Sequence, residues 1–207
     1  IMLFLKIIQS SFITKKNGKL KITGQTWEAV ISASKDKKKD WERLVTENKL
    51  GYMALLRNLN NLIKNNVDED ILEKALAKLT DKGEVKKSKQ LPFRFITAYD
   101  NVEGNRKVAD AISIAMDYAV GNAPALSGKT LVAIDCSGSM EGRPMQIASI
   151  FGATLAKANT GADLILYDDE VYEFNFSSRT PVIDLAKRIQ KEANGGGTDT
   201  SLVFKYA

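Results

Sequence analysis

Asp135, Ser137 and Ser139 carry oxygen-bearing side chains at alternate positions, directly after the apolar run at residues 131–134. A carboxylate together with two hydroxyls suits a hard divalent cation, which prefers oxygen ligands and retains several waters. Because the hydroxyls are neutral, a bound ion would keep positive charge and could accept an anionic ligand at an open position. The spacing therefore predicts a site for Mg²⁺ or Mn²⁺ that serves binding rather than catalysis.

A second loop is placed to complete this site. Thr198 follows three glycines at residues 195–197, and glycines let one loop approach another closely. We therefore predict Thr198 as a fourth metal ligand. The structural alternative is that Asp135 merely ends a strand and the serines cap the next helix. Cys136 lies between two predicted ligands, and without a histidine partner it is interpreted as a small buried thiol.

The composition excludes several other kinds of site. The 207 residues contain no His and one Cys, which rules out serine–histidine triads, histidine-bound metals and a disulfide within this chain. A phosphohydrolase with Asp135 as nucleophile is disfavoured, because serines stand where a second carboxylate would be needed. We therefore expect no enzymatic activity. The single Cys and the lack of an apolar run of about 18 residues favour a cytoplasmic protein without a membrane span.

The elements that must hold these residues change in character near residue 125. Before that point, apolar residues recur at helical spacing, and residues 1–125 are predicted to form successive packed helices of the HEAT-like repeat type, although no clean repeat period is visible. Asn17-Gly18 indicates a turn, and Gly83 is expected to end a helix. The helices are predicted near residues 1–8, 41–45, 51–63, 68–82 and 105–120.

The remainder, residues 126–207, has the pattern of an α/β unit. The run at residues 131–134 predicts a strand buried on both faces of a parallel sheet. Strands and helices alternate after it, which indicates a doubly wound, Rossmann-like sheet with its site at the carboxyl ends of the strands. The further elements are predicted at residues 145–158, 164–167, 171–176 and 180–192.

Basic residues suggest an anionic partner. The formal net charge is +5, and Lys86, Lys87 and Lys89, here called the lysine cluster, precede an apolar stretch at residues 91–95. Further basic residues nearby are Arg94, Arg106 and Lys107. Such residues could neutralise nucleic-acid phosphates, and the alternative is an ordinary solvated surface. Arg57 flanks an apolar helical stripe and is interpreted as a helix-packing or capping residue.

Two motifs together resemble a known family. Residues 131–140 resemble the metal-ion-dependent adhesion site of a von Willebrand factor A domain, and residues 195–198 are similar to its threonine loop. The segment Tyr-Met-Ala-Leu-Leu-Arg-Asn-Leu-Asn at residues 52–60 resembles the most characteristic helix of TROVE-module proteins, the Ro autoantigen family. Residues 91–95, 168–170 and 196–202 match in order and character, so the resemblance covers about residues 25–207.

The resemblance implies a ring-shaped RNA-binding protein of RNA quality control. In that family a basic cavity accepts single-stranded ends of misfolded small RNAs, the outer surface binds Y RNAs, and the A domain lies where the ring closes. Small non-coding RNA is therefore the implied partner, and neither DNA nor a membrane is expected. Residues 126–207 would be the first part of an A domain, so we expect another segment or chain to supply the rest.

The alternative function is a protein-interaction module. A partner's Asp or Glu would then complete the coordination of the metal, and the chain would not bind RNA.

Overall fold

The computed structural model describes residues 13–16, 19–22, 26–102 and 104–207. The described residues form two compact units: those up to Gly51 with Asn61–Lys74, and Tyr52–Asn60 with Ala75–Ala207. The helix predicted at residues 1–8 and the turn at Asn17-Gly18 lie outside the described residues. No helix in the described part is long and apolar enough to cross a membrane.

The first unit contains a short hairpin and two capped helices. Strands β1 (Ile13–Lys16) and β2 (Lys19–Ile22) pair antiparallel. Helix α1 (Trp27–Ser32) begins after Thr26 and α2 (Lys37–Thr46) after Asp36, and both of these side chains accept a hydrogen bond from a backbone N–H of the first turn. The apolar side of α2 is buried, which confirms the helix predicted there.

The next helices follow their apolar periodicity. The helix predicted at residues 51–63 is confirmed as α3, and its Leu55, Leu56 and Leu59 are almost fully buried. The helix predicted at residues 105–120 is confirmed as α7, which the Asn105 side chain caps. The elements are α3 (Tyr52–Lys64), α4 (Glu69–Leu79), α5 (Lys82–Ser88), a 3-10 turn (Pro92–Phe95), α6 (Ile96–Asn101), α7 (Arg106–Ala119) and a 3-10 turn (Val120–Asn122).

Gly83 does not end a helix, so that expectation was wrong. Helix α4 ends earlier, at Leu79, and Gly83 lies in the first turn of α5. Asp81 explains the difference, because its carboxylate accepts the Glu84 N–H at 2.7 Å and starts a new helix. The break is therefore set by a good N-cap two residues before the glycine.

The second half of the chain contains a three-stranded sheet. Strand β3 (Leu131–Asp135) pairs parallel with β4 (Asp163–Tyr167), and β4 pairs antiparallel with β5 (Val171–Glu173). β5 is thus shorter than predicted. The residues of β3 alternate between half-buried and buried, so only one face of this strand is fully covered, contrary to expectation. Within the described residues β3 has β4 as its one partner strand, which leaves its other edge free.

One helix packs on this sheet, and a second helix packs on the first. Helix α8 (Arg143–Ala158) connects β3 to β4 and packs on both strands, and α9 (Val182–Glu192) packs along α8. A short α10 (Ser201–Tyr206) follows. The doubly wound arrangement, the HEAT-like repeats and the division at residues 125/126 stay predictions.

Gly152 brings α8 close to β3. A β-carbon built at this position would lie 2.2 Å from the Cδ1 atom of Ile134 and 3.7 Å from the Cγ1 atom of Val132. These distances show that the side chain of Ile134 occupies the space a larger residue would need. The absence of a side chain at residue 152 therefore sets how closely the helix packs on the sheet.

Asp117 of α7 ties the helical segment to the α/β segment within the second unit. Its carboxylate accepts the Lys157 ammonium of α8 at 2.9 Å and the Val182 N–H at the start of α9 at 2.9 Å. Lys157 also donates to the Thr180 carbonyl. Only 10% of the Lys157 side chain is exposed, so these partners satisfy a largely desolvated charge.

Candidate functional site

The structure brings three of the predicted metal ligands together at the end of β3. Asp135 is the last residue of the strand, and its Oδ1 atom accepts the Ser137 N–H at 2.9 Å. A 3-10 turn (Gly138–Met140) then brings the Ser139 hydroxyl within 3.3 Å of the Ser137 hydroxyl. The tight turn thus gathers one carboxylate and two hydroxyl groups on a single loop.

The glycine loop that carries Thr198 is bonded to this first loop through the backbone. The Gly138 N–H donates to the Gly196 carbonyl at 2.9 Å, and the Gly195 N–H donates to the Cys136 carbonyl at 3.1 Å. A β-carbon at Gly138 would lie 3.0 Å from the Gly195 carbonyl oxygen, so the approach depends on glycine. Thr198 follows two residues after Gly196 and is exposed.

Asp168 is a buried carboxylate that holds the glycine loop from the neighbouring strand. It follows β4 directly and is 1% exposed. Its Oδ1 atom accepts the Glu170 N–H at 2.9 Å, and its Oδ2 atom accepts the Gly196 N–H at 3.3 Å. Its own carbonyl accepts the Asp199 N–H at 2.8 Å.

The surroundings of Asp168 keep it ionised. Burial on its own raises the pKa of the carboxyl, but the backbone N–H groups of Glu170 and Gly196 and the Tyr172 hydroxyl outweigh burial and lower that pKa below its usual value. In the sequence, Asp168 stands out only within the family match at residues 168–170. An Asp directly after an apolar strand was the available signal, because parallel β3 and β4 end at the same edge.

Cys136 has the buried position that was predicted. It is free and 1% exposed. Burial raises the pKa of its thiol, and the nearby carboxylates of Asp168 and Asp135 act in the same direction. A neutral thiol at this position is a packing group rather than a nucleophile.

The donor set fits a hydrated Mg²⁺ ion. Within the described residues there is no group of three or more Asp, Glu or Cys side chains that could hold a metal. The loop therefore offers Asp135 as its carboxylate, with two hydroxyls 3.3 Å apart beside it. Proteins usually bind Mg²⁺ through a few side chains while the ion keeps several of its waters.

The predicted phosphate-binding residues lie on three separate elements and are all exposed. The lysine cluster lies at the end of α5, where Lys87 pairs with Glu84 at 3.6 Å. Arg94 is in the 3-10 turn before α6, and Arg106 and Lys107 begin α7, where Arg106 pairs with Asp110 at 3.8 Å. Ion pairs between such exposed groups are weak and leave them available to another anion.

Asn122 fixes the segment that follows the lysine cluster. Its side-chain amide donates to the Gln90 carbonyl at 2.8 Å and to the Val85 carbonyl at 3.1 Å. These two bonds hold the end of α5 against the end of α7. The cluster is therefore presented on an anchored backbone.

The second unit also contains a cavity of about 440 Å³ that no sequence motif predicts. Arg57, Arg94 and Arg143 all line it. Only Arg94 was among the predicted phosphate-binding residues. The three arginines lie far apart in the sequence, so no local motif could have connected them.

The TROVE domain profile matches residues 9–128. A curated relative, Telomerase protein component 1 of Mus musculus, is 38% identical over 79 residues, which is 38% of this chain and 3% of that protein. Another, RNA-binding protein RO60 of Caenorhabditis elegans, is 28% identical over 164 residues, which is 73% of this chain and 25% of that protein. This chain therefore spans a quarter or less of the length of these relatives.

A solved structure also matches. The RO (RSR) protein of Deinococcus radiodurans superposes with a TM-score of 0.66 at 20% identity, covering 80% of this chain and 38% of that one. The helix-rich fold with its small mixed sheet is therefore that of the Ro protein over most of this chain.

Proposed function

Because this chain belongs to the TROVE domain family, whose profile covers more than half of its length, we propose that it binds RNA. The family match is the observation that carries this proposal. It is supported by the name of the relative RO60, an RNA-binding protein, and by the net charge of +5. Exposed lysines and arginines on anchored elements suit phosphates, which dominate the affinity of most RNA contacts.

The finer proposal concerns the class of RNA. We propose small non-coding RNA of the Y-like or misfolded kind, bound through a single-stranded end in cytoplasmic RNA quality control. The protein acts by binding and catalyses no reaction.

We also propose that the loop after β3 holds a divalent cation. Asp135, Ser137 and Ser139, together with Thr198 from the second loop, would be its protein ligands, and Mg²⁺ or Mn²⁺ the ion. When bound, the ion supplies a positive centre that can accept an anionic ligand. Asp168 acts indirectly, because its hydrogen bond to Gly196 fixes the loop that carries Thr198.

An electrophoretic shift assay tests the RNA proposal. The probe is a hairpin RNA with a single-stranded 3′ end, and the matched control is the same hairpin with a blunt end. The assay is run with this chain and with a longer chain that continues beyond residue 207. We expect the hairpin with the single-stranded end to bind more tightly than the blunt hairpin. The affinity should fall as salt rises, and a plot of log binding constant against log salt concentration should have a slope of about −0.7 per phosphate contact. Absence of binding by both chains contradicts the proposal.

The donor set of the metal loop also supports a second function, a metal-dependent protein-interaction module. One carboxylate with neutral hydroxyls leaves the ion able to accept an acidic side chain. This function predicts Mg²⁺-dependent capture of an acidic peptide by a chain that has no affinity for RNA. The two assays together separate the functions.

A further inference from the structure

We infer that the cavity lined by Arg57, Arg94 and Arg143, here called the arginine pocket, binds phosphate groups of the RNA backbone. This inference rests on the proposed RNA binding and assigns a place to it. The three arginines come from different elements: Arg57 from α3, Arg94 from the 3-10 turn before α6, and Arg143 from the start of α8. All three elements belong to the second unit over the residues concerned.

The charged residues that line the arginine pocket are all positive. Its lining of described residues includes three arginines and no Asp or Glu. A guanidinium presents a planar fork of N–H donors that matches two oxygens of a phosphate, so arginines converging on one cavity favour phosphate over a neutral ligand. The volume of about 440 Å³ is enough for a phosphate with its attached sugar.

The arginines differ in how they are already engaged. The Arg143 guanidinium lies 3.4 Å from the Asp100 carboxylate and 3.3 Å from the Thr97 hydroxyl, contacts that hold it in position. Arg57 is exposed and has no carboxylate partner in the described part of the chain. Arg94 lies over the Phe93 ring at 5.0 Å, again without a carboxylate there. Two of the three positive charges are therefore not neutralised by any carboxylate of the described residues.

The walls of the arginine pocket favour RNA as the source of the phosphate. Phe93 and Ile147 line it beside the arginines. Phe93 stacks on Phe151, with ring centroids 4.5 Å apart. Proteins that bind single-stranded nucleic acid combine positive charge for the backbone with aromatic and apolar surface for sugars and bases.

The test compares two double variants that lose the same charge. Arg57→Gln with Arg94→Gln removes the two unneutralised arginines, and Arg43→Gln with Arg179→Gln removes two exposed arginines outside the pocket. Binding of a single-stranded RNA oligonucleotide is followed by fluorescence anisotropy over a salt series. For the pocket variant we expect about a tenfold loss of affinity and a salt slope smaller by about 1.4, which is two phosphate contacts of 0.7 each. The control variant should keep the wild-type slope.

A third variant, Arg57→Lys with Arg94→Lys, separates charge from fold. Lysine keeps the charge but loses the fork, so this variant should keep the wild-type salt slope while binding more weakly than wild type. If the glutamine variant unfolds, which its far-ultraviolet circular dichroism reports, the lysine variant decides, and wild-type affinity in it overturns the inference. Equal affinity and slope in wild type and a folded glutamine variant would also overturn it and leave the proposed RNA binding intact. If the wild-type protein binds no RNA, both fall.

Discussion

Replacing Asp168 with Asn tests how the two loops are held. The Asp168 residue is 1% exposed, and its carboxylate accepts two backbone hydrogen bonds: the Glu170 N–H donates to Oδ1 at 2.9 Å, and the Gly196 N–H donates to Oδ2 at 3.3 Å. Asparagine has one acceptor oxygen, so one N–H donor loses its partner and faces an amide NH₂ instead. A hydrogen bond to a charged group contributes about 1.5–3 kcal/mol, and a buried donor without a partner costs about 1–3 kcal/mol, so we expect a loss of about 2–4 kcal/mol.

Urea unfolding followed by circular dichroism measures this loss. With a denaturant slope of about 2 kcal/mol per molar, the midpoint should fall by about 1–2 M. The matched control is Asp163→Asn, the same change at an exposed residue at the start of β4. Surface substitutions of this kind change stability by about 0.5 kcal/mol or less. Equal midpoints for the two variants would refute the reasoning.

The pH dependence gives a second check on Asp168. Because the folded state lowers the pKa of this carboxyl below the value of 3.8 for an unperturbed Asp, the charged form stabilises the fold above about that pH. This stabilisation is lost as the pH falls through the lowered pKa. The difference in unfolding free energy between wild type and Asp168→Asn should therefore be constant near neutral pH and should narrow below about pH 4. A difference that widens in acid would contradict this account.

Four further results are expected. Calorimetry should show that Asp135→Ala abolishes Mg²⁺ and Mn²⁺ binding and that Ser137→Ala weakens it less, and equal affinity in wild type and Asp135→Ala would count against the site. Replacing the whole lysine cluster with Ala should lower RNA affinity and reduce the salt slope by up to about 2, at about 0.7 per contact, and an unchanged slope would show that the cluster faces away from RNA. Asp117→Ala should cost about 2–4 kcal/mol in urea unfolding, because it leaves the largely buried Lys157 ammonium without its carboxylate and the Val182 N–H without an acceptor, whereas Asp110→Ala on the exposed side of α7 should cost little. In hydrogen exchange on a dilute sample, the β3 amides should exchange faster than those of α3, because β3 has a free edge within the described residues, and equal protection would contradict this.

Local signals predicted the elements well. The apolar periodicity of α3 and α7 and the apolar run of β3 each placed an element within about two residues of where it lies. The prediction failed at Gly83, where the nearby cap Asp81 decides the helix start. It also failed for the burial of β3, since burial depends on which elements pack against a strand.

In the candidate site, too, the residues close in sequence were predicted, and those joined only by the fold were not. Asp135, Ser137 and Ser139 are adjacent in sequence, and the loop brings them together as expected. The role of Asp117 depends on contacts made across the fold, and no spacing in the chain reveals it, whereas the position of Asp168 directly after an apolar strand is a local signal. The arginine pocket likewise joins residues that are up to 86 positions apart, from Arg57 to Arg143.

The side chain of Ile134 fills the space between helix α8 and strand β3 that a side chain at residue 152 would need. A methyl group at residue 152 would meet the Cδ1 atom of Ile134 at 2.2 Å and its Cγ1 atom at 2.8 Å, while the Cγ1 atom of Val132 would lie at the ordinary contact distance of 3.7 Å. Valine at residue 134 would lack the Cδ1 atom but would keep a Cγ atom at the 2.8 Å position, whereas alanine would lack both. The two positions, 18 apart along the chain, are therefore coupled: a methyl group at residue 152 requires truncation of residue 134 to alanine, or a shift of α8 or of the Ile134 side chain.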